Sequence, residues 1–370
     1  MRILLLEPYC GGSHGAWAEG YVEHSRHDVT LLGLAARFWK WRMQGGAVTL
    51  AAQARGLDHR PDLILASDML NLPAFLALTR GFLAGIPTAL YCHENQLTYP
   101  FPPGEKRDLT YGMINWLSML VADRVIFNSR FHLEDWFDAL PNMLKHFPDC
   151  SHLDRIEEVR AKACVLPVGC NLRRLEEVPT SRASNESPLI LWNQRWEYDK
   201  NPETFFRALY ALADAGVGFR VAIAGKSHRH STPEFQRAKE RLGDRVVHFG
   251  FAEGREYDCL LRQADIVVST AIHEFFGMAV VEAVYGGCFP ILPARLSYPE
   301  LIPEMSHERC LYDDFQDLVA HLRWSIAHGE ESEAVCKKLR VAMSRFDWRV
   351  VAPAYDDTFS GICLQGNSRG

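Results

Sequence analysis

The sequence predicts an α/β protein built from two doubly wound, Rossmann-like domains facing across a cleft. Three observations lead there. Apolar strand patterns alternate with helical ones along nearly the whole chain, the signature of parallel sheets covered by helices. At 370 residues the chain is long for one hydrophobic core and comfortable for two. A single long polar stretch, Glu176 to Pro188 (EEVPTSRASNESP), separates two such alternating series and reads as a linker. The expected domains are therefore 1–175 and 189–347, with 176–188 between them. A final amphipathic helix begins at Trp348.

In the first series, strands are expected at Ile3–Leu6, Val29–Leu32, Leu63–Ala66, Thr88–Tyr91, Arg124–Phe127 and Cys164–Leu166. Helices are expected at Ala16–Val22, Pro73–Leu83 and Tyr111–Val121, and most of His132–Lys162 is helical in pattern. In the second series the strands are Leu189–Trp192, Arg220–Ala224, Val246–Phe249, Ile266–Ser269 and Phe289–Leu292. Ligands of such sheets bind beyond the carboxyl ends of the strands, so the loops there are the places to look for chemistry.

Composition narrows the class. With 48% hydrophobic and 23% charged residues the chain is a soluble globular protein. A net charge of −6 argues against a protein that is basic all over, though not against a local basic patch. The ten cysteines show no CxxC pair, which disfavours zinc and a disulfide scaffold and fits free thiols in a cytoplasmic protein. MRILLLEPY is interrupted too soon by Glu7 and Pro8 to be a signal peptide or a membrane span.

Four polar loops stand out. The first βα turn, Glu7 to Gly15 (EPYCGGSHG), has paired glycines that let backbone approach a ligand, but it also reads as a plain tight turn. It is not GxGxxG, and the second strand ends without an acidic residue, which disfavours a nicotinamide dehydrogenase. After the fourth strand come Cys92-His93-Glu94-Asn95-Gln96, too polar a run to be explained by packing. His93 can donate to a sugar hydroxyl, or be an ordinary hydrogen-bonded loop histidine. The loop Trp192–Pro202 sends out Arg195 and Lys200, suited either to a diphosphate or to surface pairing with Glu197 and Asp199. Asn201 with Pro202 reads as a helix N-cap.

The fourth loop lies in Ser269–Pro290 (STAIHEFFGMAVVEAVYGGCFP). It places Glu274 after a buried strand, a helix start at Gly277 with free N–H groups, and Glu282 in the middle of an apolar helix. A carboxylate surrounded by Val, Met and Ala is costly to bury unless something hydrogen-bonds to it. Separately, Ala36 to Arg42 (ARFWKWR) interleaves three cations with three aromatics, as a nucleic-acid contact or as a helix with a core face. No Asp-x-Asp occurs, so a metal is not implied, and neither a P-loop nor an HExxH is present.

Together these motifs resemble a known family. Glu274-Phe275-Phe276-Gly277-(x4)-Glu282, preceded by Arg195 and Lys200, is similar to the retaining glycosyltransferases of family 4, which have the GT-B fold. More narrowly, GGSH, FWKWR, HENQLTYP, FNS, RWEYDK, HEFFG and EAVYGGC resemble the glycosyltransferase-like domain family that includes tRNA-queuosine mannosyltransferases. The resemblance covers nearly the whole chain. It implies that Glu282 accepts from the donor's ribose and that Glu274 contacts the donor sugar, with N–H groups around Phe276, Gly277 and Met278. Arg195 and Lys200 would hold and stabilise the departing diphosphate. His93 would lie under the sugar, and Gly12 would let the first loop close on the phosphates. The acceptor would meet His14, Trp39, Lys40, Arg42, Asp68, Asn95 and Gln96.

The resemblance also implies GDP-mannose as co-substrate with no other cofactor, queuosine in tRNA as acceptor, no membrane partner and no metal. The final helix, about 348–370, would cross back to the first domain. Two alternatives remain at this stage: a GT-B enzyme acting on a glycan, a lipid or a small molecule, and a non-catalytic nucleotide-sugar or RNA-binding module. Residues alone do not separate GDP from UDP donors.

Overall fold

The computed structural model describes the chain apart from residues 102–103, 105, 180–186, 227–232 and 368–370, with side chains described to residue 364. Most of the expected linker 176–188 thus lies outside the described residues; its first residues belong to a short 3-10 turn, Arg173–Glu177. The chain divides into two compact units, each described by itself. The first comprises Met1–Tyr99, Glu105–Cys170 and Trp348–Gly370; the second comprises Pro100–Gly104 and Asn171–Asp347.

The first unit holds one six-stranded sheet: β1 Arg2–Cys10, β2 Asp28–Ala35, β3 Leu63–Ser67, β4 Thr88–Cys92, β5 Arg124–Phe127 and β6 Ala163–Val165. Its order is β2-β1-β3-β4-β5-β6, and every pairing is parallel. All five residues of β3 and of β4 are buried, as a parallel strand covered on both faces requires. The covering helices are α1 Gly12–His24, α2 Trp39–Ala54, α3 Leu72–Leu83, α4 Leu109–Val121, α5 Arg130–Leu144 and α6 Ile156–Ala161.

The second unit holds β7 Leu189–Trp192, β8 Arg220–Ala224, β9 Val246–Gly250, β10 Ile266–Val268, β11 Phe289–Pro293 and β12 Leu311–Tyr312. These run in the order β12-β11-β10-β7-β8-β9, again all parallel. Its helices are α7 Pro202–Asp214, α8 Pro233–Leu242, α9 Gly254–Gln263, α10 Met278–Gly286, α11 Tyr298–Leu301, α12 His307–Cys310, α13 Phe315–Ala327 and α14 Gly329–Met343. The last helix, α15 Trp348–Asn367, packs within the first unit. Tyr21 donates to Asp356 (2.9 Å), Trp17 to the Tyr355 hydroxyl (3.3 Å), and Tyr355 in turn to the Pro167 carbonyl (2.9 Å).

Three details differ from the sequence expectations. β12 is two residues long and carries too little pattern to be seen. α1 starts at Gly12 rather than Ala16, because Gly12 takes a left-handed conformation (φ 57°) that turns the chain straight off β1. β1 runs four residues past the expected Leu6, to Cys10. In each sheet the winding reverses once, between β1 and β3 in the first unit and between β7 and β10 in the second. A crevice outside the carboxyl ends of the strands is expected at each reversal.

Candidate active site

At the first reversal, β1, the start of α1 and the loops after β3 and β4 bring Glu7, His14, Asp68 and His93 together. Glu7 is fully buried, and its Oε2 lies 3.3 Å from His14 Nδ1 and 3.9 Å from His93 Nε2. The His14 and His93 rings are 4.1 Å apart, and Trp17 meets His93 edge-on at 4.7 Å. Burial alone would strip the proton from His14, but the Glu7 carboxylate outweighs it and raises the His14 pKa to about 9. At 3.9 Å Glu7 does not hold a proton on His93: burial, and then the neighbouring His14 and His132, push it well below the ordinary histidine value. The result is a fixed imidazolium beside a neutral imidazole whose buried Nε2 has no hydrogen-bond partner.

The ligand atoms of Glu7, His14 and His93 all lie within 4.8 Å of one another, close enough to surround a cation. Asp68 is buried, accepts from the Glu94 N–H (3.1 Å) and leaves Oδ1 unpartnered. Desolvation, only partly offset by His14, raises its pKa to about 7.

The remaining expected acceptor residues are spread out. Asn95 is fully buried, donating to Asp135 on α5 (2.7 Å) and accepting from the Leu97 N–H (2.8 Å), so its amide ties its loop to that helix. Gln96 is buried, and its carbonyl accepts from Arg107 (2.8 Å). Trp39 tilts against Tyr111 at 4.9 Å with Lys40 over its ring at 5.6 Å, and Arg42 donates twice to the Ala35 carbonyl.

At the second reversal, β10 leads into the Glu274 loop and β7 into the Arg195–Lys200 loop. Lys200 Nζ donates to the His273 carbonyl (2.9 Å) and to Glu274 Oε2 (3.2 Å), and pairs with Asp199 at 3.0 Å. Burial favours protonated Glu274, yet Lys200 more than compensates and holds its carboxyl below the usual range. Glu274 Oε1 accepts from its own loop, from the N–H groups of Phe275 (3.1 Å) and Phe276 (3.4 Å). Both carboxylate oxygens are therefore pinned: Oε1 has both lone pairs engaged, and Oε2 keeps one for a ligand hydroxyl. Arg195 pairs with Glu197 at 3.3 Å, as the surface-pairing alternative had it, and 48% of its side chain is exposed. Asn201 caps α7, accepting from the Thr204 N–H.

Gly277 (φ 92°) starts α10, whose first free N–H groups follow at Met278. One turn on, Glu282 has found its donors inside the protein. Arg174 Nη2 donates to its Oε1 (2.8 Å) and the Tyr257 hydroxyl to its Oε2 (3.1 Å). Arg174 also donates through Nε to Asp258 (2.8 Å), and Asn193 donates to Tyr257 (3.0 Å). Sequence reasoning assigned the partner of Glu282 to a ribose and missed this network. The isolated carboxylate in an apolar helix was the signal that a donor had to exist. Arg174, lying 108 residues earlier at the edge of the expected linker, carried no local mark.

The fold has solved counterparts. Sucrose-phosphate synthase from Thermosynechococcus elongatus superposes with a TM-score of 0.72, at 16% identity over 99% of this chain and all of that one. The Anabaena protein HepE in complex with UDP gives the same TM-score at 18% identity, over 98% of this chain and all of that one. A family profile described as "Glycosyl transferases group 1" matches residues 174–340. The chain is thus a GT-B glycosyltransferase.

A second profile, "tRNA-queuosine alpha-mannosyltransferase N-terminal", matches residues 2–170. The Drosophila melanogaster tRNA-queuosine alpha-mannosyltransferase is 37% identical over 311 residues, 82% of each chain. The chain belongs to that family. A GDP-mannose-dependent alpha-(1-6)-phosphatidylinositol dimannoside mannosyltransferase from Mycobacterium tuberculosis is more distant, 23% identical over 92% of this chain and 89% of its own.

Proposed function

We propose that the chain transfers mannose from GDP-mannose, with retention and without a metal, to a hydroxyl of the queuosine cyclopentenediol in tRNA. The observation that carries this reading is the match of residues 2–170 to the tRNA-queuosine mannosyltransferase profile, reinforced by the relative that shares 37% of its residues. GDP-mannose is the donor named for the mycobacterial mannosyltransferase. The second unit supplies the donor groups in this proposal. Glu282, held by Arg174 and Tyr257, accepts from ribose hydroxyls, and Glu274, held by Lys200 and its own loop, accepts from the hexose. Arg195 and Lys200 offset the charge that grows on the leaving diphosphate. Lys200 donates to two protein acceptors and pairs with Asp199, so contact with phosphate competes with those partners.

In the first unit, neutral His93 offers its unpartnered Nε2 to a sugar hydroxyl. Retention follows if the acceptor attacks from the face on which the diphosphate departs. The test incubates the protein with GDP-mannose, UDP-glucose or UDP-galactose and queuosine-containing tRNA, in buffer with and without EDTA. A hexose mass on queuosine is expected from GDP-mannose alone, α-linked, with EDTA changing the rate less than twofold. Transfer only from a UDP-sugar would overturn the donor. Loss of activity in EDTA, restored by a divalent cation, would overturn metal independence and point to the Glu7–His14–His93 cluster.

A further inference from the structure

Phe38 and Trp41 are 75% and 62% exposed, one turn apart at the start of α2. Neither is placed by core packing. Phe38 sits in the left-handed region (φ 56°, ψ 52°), which a bulky side chain rarely occupies, and its ring gains no burial there. Trp41 lies against its own helix over Gly45: a Cβ at position 45 would come within 3.0 Å of indole atoms Cε2 and Cζ2. The absence of that carbon lets one face of the indole rest on the backbone and leaves the other to solvent. The two rings stand three residues apart in the chain, one on the N-cap and one in the first turn of α2.

The neighbours along the chain are cationic, and Asp108 at the start of α4 is the carboxylate that reaches Lys40. From Val29 to Leu57 the chain carries Arg37, Lys40, Arg42 and Arg55 and not one carboxylate, in a protein of net charge −6. Arg37 and Lys40 are exposed beside the two rings. The position is tied to the first site. Arg42 fastens the start of α2 to the end of β2, and Met43 on its buried side packs with Met69, next to Asp68.

We infer that Phe38 and Trp41 form a stacking platform for unpaired bases of an RNA loop, with Arg37 and Lys40 meeting its phosphates. The inference rests on the proposed tRNA acceptor and names the surface that holds it. Flat π-faces separated by cations, without a continuous apolar patch, match single-stranded nucleic acid. A protein interface would instead deplete lysine at its centre.

The full-length chain and its Phe38→Ala, Trp41→Ala, double-alanine and Trp41→Phe variants are compared in two assays. The first measures transfer from GDP-mannose to queuosine-containing tRNA. The second measures quenching of tryptophan fluorescence by that tRNA and by duplex RNA, with donor affinity followed by calorimetry as the control for folding. Each alanine is expected to raise KM for tRNA on the order of tenfold, with kcat and donor affinity within twofold and Trp41→Phe recovering most of the loss. Wild-type fluorescence is expected to quench with tRNA and not with duplex RNA.

An unchanged KM in the double variant overturns the platform, as does a KM rise matched by weakened donor binding. Loss of a wild-type dimer in the variants would assign the surface to a second copy of the chain and overturn it too. If the wild-type chain modifies no tRNA with any donor, the functional proposal fails on its own. The quenching assay then still decides the platform: loop-selective quenching abolished in the double variant supports it, and no quenching overturns it.

Discussion

Arg174 shows how much of a binding site can rest on one side chain. Its guanidinium bridges Asp258 and Glu282 at 2.8 Å each, with 26% of its side chain exposed against 14% and 13% for the two acids. Replacing it by alanine leaves two carboxylates facing each other in a half-buried crevice. The cost lies between the ~1 kcal/mol of a surface pair and the 3–5 kcal/mol or so of breaking a buried one. Arg174→Ala is expected to lower stability by about 2–3 kcal/mol in urea titration. On the proposed role of Glu282, it also weakens GDP-mannose binding roughly tenfold by calorimetry. Arg174→Lys restores charge but not the fork that reaches both acids, and should recover only part of each effect. Unchanged donor affinity in Arg174→Ala would remove the clamp from the donor site.

Among the elements, α10 depends most on a single position. Gly277 opens it at φ 92°, and a Cβ there would lie 3.2 Å from the Tyr298 ring and 3.3 Å from Leu301. Left-handed backbone costs an L-residue about 1–2 kcal/mol, and the tight contacts add to it. Gly277→Ala is therefore expected to lower the melting temperature of the second unit by roughly 4–8 °C and to shift the first turn of α10 together with Glu274. A melting curve identical to wild type would mean that the loop accommodates the methyl group. This element also shows what was legible in the sequence. The buried strand, the glycine and the two carboxylates could be read because each leaves a local mark: an apolar run, a residue free of Cβ, a charge out of place. Asn95 could not be read, because its polarity looks the same whether it serves a ligand or Asp135. Arg174 was invisible for the opposite reason, since its meaning comes entirely from α9 and α10, far along the chain.

On the scale of the molecule, the first unit is closed by a helix that follows the second unit in the chain. Trp348 donates its N–H to the Cys170 carbonyl (3.1 Å), its ring fills the space that Cβ atoms would occupy at Gly20 and Gly169, and Asp356 takes the Tyr21 hydroxyl. Truncating so large a buried side chain costs about 3–5 kcal/mol. Trp348→Ala should lower the stability of the first unit by that amount while leaving nucleotide-sugar affinity of the second intact, as read by hydrogen exchange and calorimetry. Equal loss in both units would show that they unfold together.

The same closure sets an order on the birth of the protein. The six strands of the first sheet are complete by Val165, yet the partner of Trp17 and Tyr21 starts at Trp348. At about 5–20 residues per second on the ribosome, the second unit takes on the order of 10–40 s to pass. For that interval the first sheet carries an uncovered aromatic face, while the main segment of the second unit, Asn171–Asp347, emerges without interruption and is able to fold ahead of it. The half of the chain translated first is thus the half finished last, and its dependence on chaperones should track the speed of elongation.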